Sequence, residues 1–117
     1  MNLYREVHRP QFHFSAKENW INDPNGLVYC DGTWHLFFQH NPESNIWGNM
    51  TWGHAISHDL IHWEQVEHAL YPDEHGTMFS GSAVIDHNNT AAVSYYTSDA
   101  ADDMQCVDLG GRRIIKK

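Results

Sequence analysis

The chain has 117 residues, a length that permits one small domain. Fifteen acidic residues against seven basic ones give it a formal net charge of −8. This balance argues against nucleic acid and against an anionic membrane surface as partners, because both attract basic groups. A neutral sugar would be indifferent to the charge.

The order of apolar runs and turn signals predicts an all-β chain. Asp31-Gly32 is a strong hairpin signal, so Leu27–Cys30 and Thr33–Gln39 are predicted to pair. Other short runs bounded by turn residues predict strands at Thr51–Ser57, Trp63–Val66, Phe79–Asp86 and Ala92–Thr97. Strands recurring without a sustained helical period are typical of a sandwich, a barrel or the blades of a propeller. After residue 97 no strand or helix pattern is apparent.

The densest group of candidate site residues lies at 20–26, which reads Trp-Ile-Asn-Asp-Pro-Asn-Gly. Pro24 and Gly26 predict a turn that holds Asp23, whose carboxylate could attack an anomeric carbon or stabilise its positive charge. The Trp20 ring could pack on a sugar, and the Asn22 amide could bind its hydroxyl groups. The alternative is an ordinary turn without a function, since such turns are common.

Two further stretches have residues suited to a ligand. Gln39 ends an apolar strand and would face either a pocket or solvent, and Trp47 follows it in a polar loop. The small residues of Phe-Ser-Gly-Ser at 79–82 allow close backbone approach, which could serve a ligand or only tight sheet packing.

Ten histidines and two cysteines raise the question of a metal. His54, His58 and His62 are spaced by four, which would align them on a helix. The apolar and aromatic residues between them favour strand and turn instead, and no His-Glu-x-x-His pattern occurs. We expect no metal and no cofactor. Cys30 and Cys106 form no Cys-x-x-Cys motif. They could pair with each other, but two cysteines are too few for a disulfide scaffold, and we expect two free, mostly buried thiols.

These stretches, taken together and in order, resemble the N-terminal part of glycoside hydrolase family 32, the β-fructofuranosidases, which include invertases, exo-inulinases and levanases. The resemblance runs from Tyr4 to about Thr97. Its motifs are the stretches at 20–26, 37–39, 47–54, 57–63 and 79–82.

The resemblance implies a five-bladed β-propeller, usually followed by a β-sandwich, and metal-free hydrolysis of terminal β-fructofuranosyl bonds with retention. Asp23 would be the nucleophile. The fructose subsite would be lined by Trp20, Asn22, Gln39, Trp47, Phe79 and Ser80. The Gly-Asn-Met stretch at 48–50 is more similar to fructan-degrading members than to sucrose-6-phosphate hydrolases. The partner would be a fructan or sucrose.

The family's acid/base, a Glu followed by Cys, and its Arg-Asp-Pro motif do not occur in these 117 residues. Because a propeller blade takes about 40–50 residues, we expect a partial propeller of about two blades. Residues 1–97 would form these N-terminal blades, and 98–117 a divergent or truncated tail. We expect this chain to be inactive by itself and prone to self-association through exposed blade edges.

Two other functions stay open from the sequence: a non-catalytic fructose- or fructan-binding module, and a His-rich metal-binding protein. The first residues contain no apolar stretch of the length a signal peptide needs. We therefore expect a cytoplasmic chain, or a secreted or periplasmic one if a leader has been removed.

Overall fold

The computed structural model describes residues 3–88 and the backbone of two short strands near the C-terminus. Four antiparallel strands form one sheet in the order β1-β2-β3-β4. They are β1 (Trp20–Cys30), β2 (Thr33–Asn41), β3 (Thr51–Ser57) and β4 (Glu64–Leu70). A second sheet has the order β5-β6-β7, from β5 (Ala83–Ile85), β6 (Val107–Leu109) and β7 (Ile114–Lys116). The prediction of an all-β chain is confirmed.

The predicted hairpin joins β1 to β2. Cys30 pairs with Thr33, so Asp31 and Gly32 form a two-residue turn. Their φ angles are 50° and 83°. A tight hairpin of this kind needs positive φ at both central residues, which aspartate and glycine tolerate better than other residues. The local sequence therefore determines the register of this strand pair.

Strand β1 begins seven residues earlier than predicted, at Trp20 rather than Leu27. The predicted turn around Asp23 is wrong, because this stretch is a bulged strand. Asn22 and Asp23 together lie opposite Gln39, and a second bulge follows Asn25. Pro24 is tolerated here because β1 is at the edge of its sheet, where a missing N–H breaks no ladder bond on the open side.

The remaining strands agree with the sequence in position more than in length. Strand β3 has the predicted bounds, whereas β4 is longer and β5 shorter than predicted. The predicted strand Ala92–Thr97 lies outside the described residues. Beyond residue 97, where the sequence shows no strand pattern, the short strands β6 and β7 pair with each other.

The core lies between the four-stranded sheet and the segment that leads to β5. It is formed by Phe37, Trp52, Ala69, Leu70 and Met78. Two hydrogen bonds fasten the segment to β3 and to the residue that precedes it. The Met78 N–H donates to the Met50 carbonyl at 2.8 Å, and Trp52 Nε1 donates to the Phe79 carbonyl at 2.9 Å. The core therefore determines where residues 78–80 lie relative to the first sheet.

Cys30 is disulfide-bonded, so the expectation of a free thiol is wrong for this residue. The only other cysteine of the sequence, Cys106, lies outside the described residues. The spacing of two cysteines along a chain does not indicate their distance in space, which is why the sequence did not predict the bond. In the described part of the chain, no helix has the length and apolar character needed to cross a membrane.

Candidate active site at the junction of the two sheets

The Asp23 carboxylate lies in the first bulge of β1 and accepts a hydrogen bond from Ser80. The distance from Ser80 Oγ to Asp23 Oδ2 is 2.6 Å, which is typical of a hydroxyl donating to an ionised carboxylate. The Asp23 N–H also donates to the side-chain oxygen of Asn22. Bulges often re-aim a side chain beside an active site, and this one turns the carboxylate toward the chain that precedes β5.

Two residues further along β1, the Asn25 side chain connects three segments. Its Oδ1 accepts from the Gly81 N–H at 3.3 Å, and its Nδ2 donates to Gln39 Oε1 at 3.4 Å. Asn25 and Gln39 are only 2% and 3% exposed. Since buried polar groups need partners, these bonds hold β1, β2 and the segment before β5 in one arrangement.

The next residue, Gly26, brings the two sheets into close contact. Its φ is +44°, and a Cβ built on it would lie 2.6 Å from Ala83 Cβ and 2.9 Å from the Ala83 nitrogen. No real Cβ fits at such distances, so the approach of β1 to β5 depends on the missing side chain. Asp23, Asn25 and Gly26 thus each contact the chain between Ser80 and Ala83.

Of the seven predicted site residues, the structure brings four together, places Phe79 next to them and leaves two apart. Asn22, Gln39 and Ser80 cluster at Asp23 through the hydrogen bonds and register above. Phe79 immediately precedes Ser80 and is 68% exposed. Trp20 begins β1, and Trp47 lies in the loop between β2 and β3, where it is 63% exposed. Among the described residues, no hydrogen bond or ring contact joins either tryptophan to Asp23.

Asp23 is exposed at the open edge of the first sheet. The resemblance to the family implies that this carboxylate faces the central pocket of the propeller. It lies in the bulge opposite Gln39 and accepts a hydrogen bond from Ser80. A pocket on the axis of a propeller is bounded by all of its blades, and the described strands supply one four-stranded sheet and the first part of another.

The three histidines that could align on a helix do not form a cluster. His54 is buried in β3, where its Nε2 lies 2.9 Å from His35 Nδ1. His58 and His62 lie in the exposed turn after β3, where His62 pairs with Asp59. In the described part of the chain, no group of three or more His, Cys, Asp or Glu side chains could hold a metal ion.

Two residues of the site had no assigned role from the sequence. Asn25 reads as part of a turn, and nothing in its local pattern indicates that its side chain is buried. Trp52 reads as an ordinary strand aromatic, yet its indole N–H positions the Phe79 carbonyl. The available signal was the run of adjacent polar and glycine residues from Asn22 to Gly26, which is unusual inside a strand.

A meandering four-stranded antiparallel sheet with the candidate carboxylate on its first, edge strand is the arrangement of a propeller blade, whose first strand can border a central channel. The described strands are thus those of an all-β, partial β-propeller, of the five-bladed kind that the family resemblance implies. The model of the glycosyl hydrolases family 32 N-terminal domain matches residues 13–112. The chain belongs to this family, as its motifs predicted.

Relatives and solved structures agree with this assignment. The chain is 53% identical over 107 residues to a levanase from Bacillus subtilis, covering 84% of this chain and 16% of the levanase. It is 55% identical over 93 residues to an extracellular exo-inulinase from Aspergillus awamori, covering 75% of this chain and 17% of that protein. The crystal structure of an Aspergillus awamori exo-inulinase matches with a TM-score of 0.70 at 54% identity, covering 77% of this chain and 18% of the other.

A fructofuranosidase from Schwanniomyces occidentalis, solved in complex with fructose, matches with a TM-score of 0.71 at 47% identity, covering 77% of this chain and 18% of the other. A variant of a Bombyx mori β-fructofuranosidase, solved in complex with sucrose, matches with a TM-score of 0.64 at 43% identity and covers 72% and 17% of the two chains. The chain therefore spans about a sixth of the length of the curated relatives it matches, 16% and 17% in the two cases above.

Proposed function

We propose that this chain supplies the nucleophile of a retaining glycosidase that releases terminal β-D-fructofuranosyl residues from fructans or sucrose. The observation that carries the proposal is the 2.6 Å hydrogen bond from Ser80 to Asp23 at the bulged edge of the first sheet. It holds a carboxylate in one orientation at an exposed position, where a sugar could reach it.

In the proposed reaction, an Asp23 oxygen attacks the anomeric carbon of the fructosyl unit, and the glycosidic bond breaks. A second carboxylic acid protonates the leaving oxygen and then activates the water that hydrolyses the covalent intermediate. Neither a Glu-Cys pair nor an Arg-Asp-Pro motif occurs in the 117 residues. We therefore propose that this chain is inactive by itself.

The proposed fructose subsite contains Trp20, Asn22, Gln39, Trp47, Phe79 and Ser80. Gln39 lies opposite the bulge that carries Asp23, where its fixed amide could bind a sugar hydroxyl. The exposed rings of Trp47 and Phe79 could cover the apolar face of a sugar. Similarity to a levanase and to an exo-inulinase supports fructans as the substrate class.

Completing the propeller tests this proposal. Residues 1–117 would replace the matched region of the Bacillus subtilis levanase, and fructose release from levan, inulin and sucrose would be measured. We expect activity in the completed protein, retention of the anomeric configuration by NMR, and loss of more than about a thousandfold in kcat for Asp23→Asn. Asp31→Asn in the hairpin turn is the matched control and should keep full activity.

The isolated chain provides the second half of the test. It should release no fructose, and calorimetry should show weak fructose binding or none. Measurable binding without activity in the completed protein would favour a sugar-binding module instead. Full activity of the isolated chain would contradict the proposed need for a second carboxylic acid from elsewhere.

We also propose that the isolated chain self-associates through blade edges. Strand β1 borders its sheet and exposes Leu27 and Tyr29, which are 51% and 49% accessible. Unpaired strand edges are ready templates for pairing with another chain. Sedimentation velocity over a concentration series should show oligomers, and a monomer at all concentrations would refute this.

A further inference from the structure

We propose that Asn25 is a positioning residue that fixes Ser80 against the Asp23 carboxylate. The inference rests on the proposed function in one respect, since it takes Asp23 as the reacting group. The contacts of Asn25 themselves do not depend on that role of Asp23.

The Asn25 side chain is buried and uses both ends of its amide. It is 2% exposed, its oxygen accepts from the Gly81 N–H at 3.3 Å, and its nitrogen donates to Gln39 at 3.4 Å. A buried amide with a partner at each end is held in one orientation, because rotating it would leave both partners unsatisfied.

These contacts lie directly beside the bond between Asp23 and Ser80. Asp23 and Asn25 are two residues apart in β1, and their partners Ser80 and Gly81 are adjacent in the chain. The two hydrogen bonds therefore form neighbouring links between the same two segments. If the link at Gly81 is lost, the Ser80 hydroxyl keeps its own bond to Asp23, but the backbone that follows Ser80 loses its hydrogen bond to β1.

Gln39 extends the same network to the second strand. It is 3% exposed and faces the bulge formed by Asn22 and Asp23. Through Asn25, the bulge, the amide of Gln39 and the segment at Ser80 share one set of hydrogen bonds. Because a shift of about 1 Å in a reacting group can lower a rate by about a hundredfold, Asn25 affects catalysis through these neighbours without touching the substrate itself.

Hydrogen exchange in the isolated 117-residue chain tests the structural claim. In Asn25→Ala, exchange of the Gly81 amide should be roughly tenfold faster, the factor that a hydrogen bond of ordinary net strength provides. Exchange of the Ala55 amide in β3 should stay within about twofold, and NMR contacts between residues 23 and 80 should weaken. Asn45→Ala, which removes an exposed asparagine outside the network, should change none of these.

Asn25→Asp separates positioning from bulk packing. It keeps an oxygen that can accept from Gly81, and a rotated Gln39 amide can donate to it. Gly81 protection and the contact between residues 23 and 80 should therefore be retained. If Asn25→Ala does not fold, Asn25→Asp alone tests the proposal. Loss of the Gly81 protection or of the contact between residues 23 and 80 in Asn25→Asp would overturn it. Equal acceleration at Gly81 and Ala55 in Asn25→Ala, or no change at Gly81, would overturn it as well.

The completed levanase chimera provides the kinetic readout. Asn25→Ala should lower kcat by about thirtyfold or more with KM within about threefold, and Asn25→Asp should restore most of kcat. An equal change in kcat and KM for both variants would contradict a positioning role. If the unsubstituted chimera is inactive, the proposed function is wrong. The hydrogen exchange of Gly81 still tests the contacts of Asn25, because it does not depend on activity.

Discussion

The Ser80 hydroxyl donates a 2.6 Å hydrogen bond to the Asp23 carboxylate across 57 residues of sequence. The two residues lie in different parts of the fold. Asp23 is in the bulged edge strand β1 of the first sheet, and Ser80 is in the segment that leads to β5 of the second sheet. Their contact exists only because the core fastens residues 78–79 to β3 and because Gly26 allows close approach.

Removing the Ser80 hydroxyl should impair the completed enzyme. Ser80→Ala leaves the Asp23 carboxylate without this donor, and hydrogen bonds to charged groups contribute about 1.5–3 kcal/mol. We expect kcat/KM for levan to fall about tenfold to a hundredfold. Ser82→Ala, two residues further on, is the matched control, and an equal loss in both variants would show that the effect is not specific to the contact with Asp23.

Adding a methyl group at Gly26 should disrupt the junction of the sheets. Gly26→Ala combines a positive φ of +44° with a Cβ placed 2.6 Å from Ala83 Cβ, so strain and overlap add. We expect a loss of about 3 kcal/mol or more in the free energy of unfolding, measured by urea titration.

Gly32→Ala is the control for that experiment. Gly32 has φ +83°, but a Cβ there would meet nothing within 4 Å, so only the conformational cost of about 1–2 kcal/mol applies. Equal losses in the two variants would mean that the contact with Ala83 contributes nothing.

The indole N–H of Trp52 should be needed to place the Phe79 carbonyl. Trp52 is 1% exposed, and its Nε1 donates to that carbonyl at 2.9 Å. Trp52→Phe keeps an aromatic ring but removes the donor and some volume, which should cost about 2–4 kcal/mol in unfolding free energy. Trp34→Phe, in the half-buried start of β2, is the comparison and should cost clearly less.

Stability should fall in mildly acidic solution because of two stacked histidines. The rings of His40 and His68 lie 5.3 Å apart at 15° to each other. They line a cavity of about 320 Å³ whose other walls include Lys17, Glu18 and Glu67. Burial lowers the pKa of His40, which the hydrogen bond to the Trp20 carbonyl and the charge of Glu18 only partly offset. Burial also lowers the pKa of His68, with Glu67 opposing the shift.

The direction of this pH dependence follows from how many protons the folded and the unfolded chain bind. With both pKa values below 6.5 in the folded state, the unfolded chain binds more protons in mildly acidic solution. The stability contributed by these neutral histidines is complete above pH about 6.5 and is lost as pH falls through their folded pKa values. His68→Phe should flatten the dependence of the urea midpoint on pH between 8 and 5, while the comparison at pH 8 reports only the change in packing. An unchanged slope would contradict this account.

Local sequence predicted the parts of the fold that depend on neighbouring residues. The Asp31-Gly32 hairpin and strand β3 follow from turn chemistry and apolar runs, and they lie where the sequence indicates. The structure of the stretch from Asn22 to Gly26 could not be predicted in this way, because its turn-forming residues occupy bulges in an edge strand. Turn propensity and bulge geometry use the same residues, and only pairing with β2 distinguishes them.

By itself, the sequence determined the family of this protein and the all-β class, since both depend on the order of residues along the chain. Only the tertiary structure decided that Asp23 accepts from Ser80, that Asn25 is buried between Gln39 and Gly81, and that Cys30 is in a disulfide. The hydrogen bonds of Asp23 and Asn25 join residues that lie 14 to 57 positions apart in sequence. Their distance is set by packing of one segment on another, which no local pattern encodes.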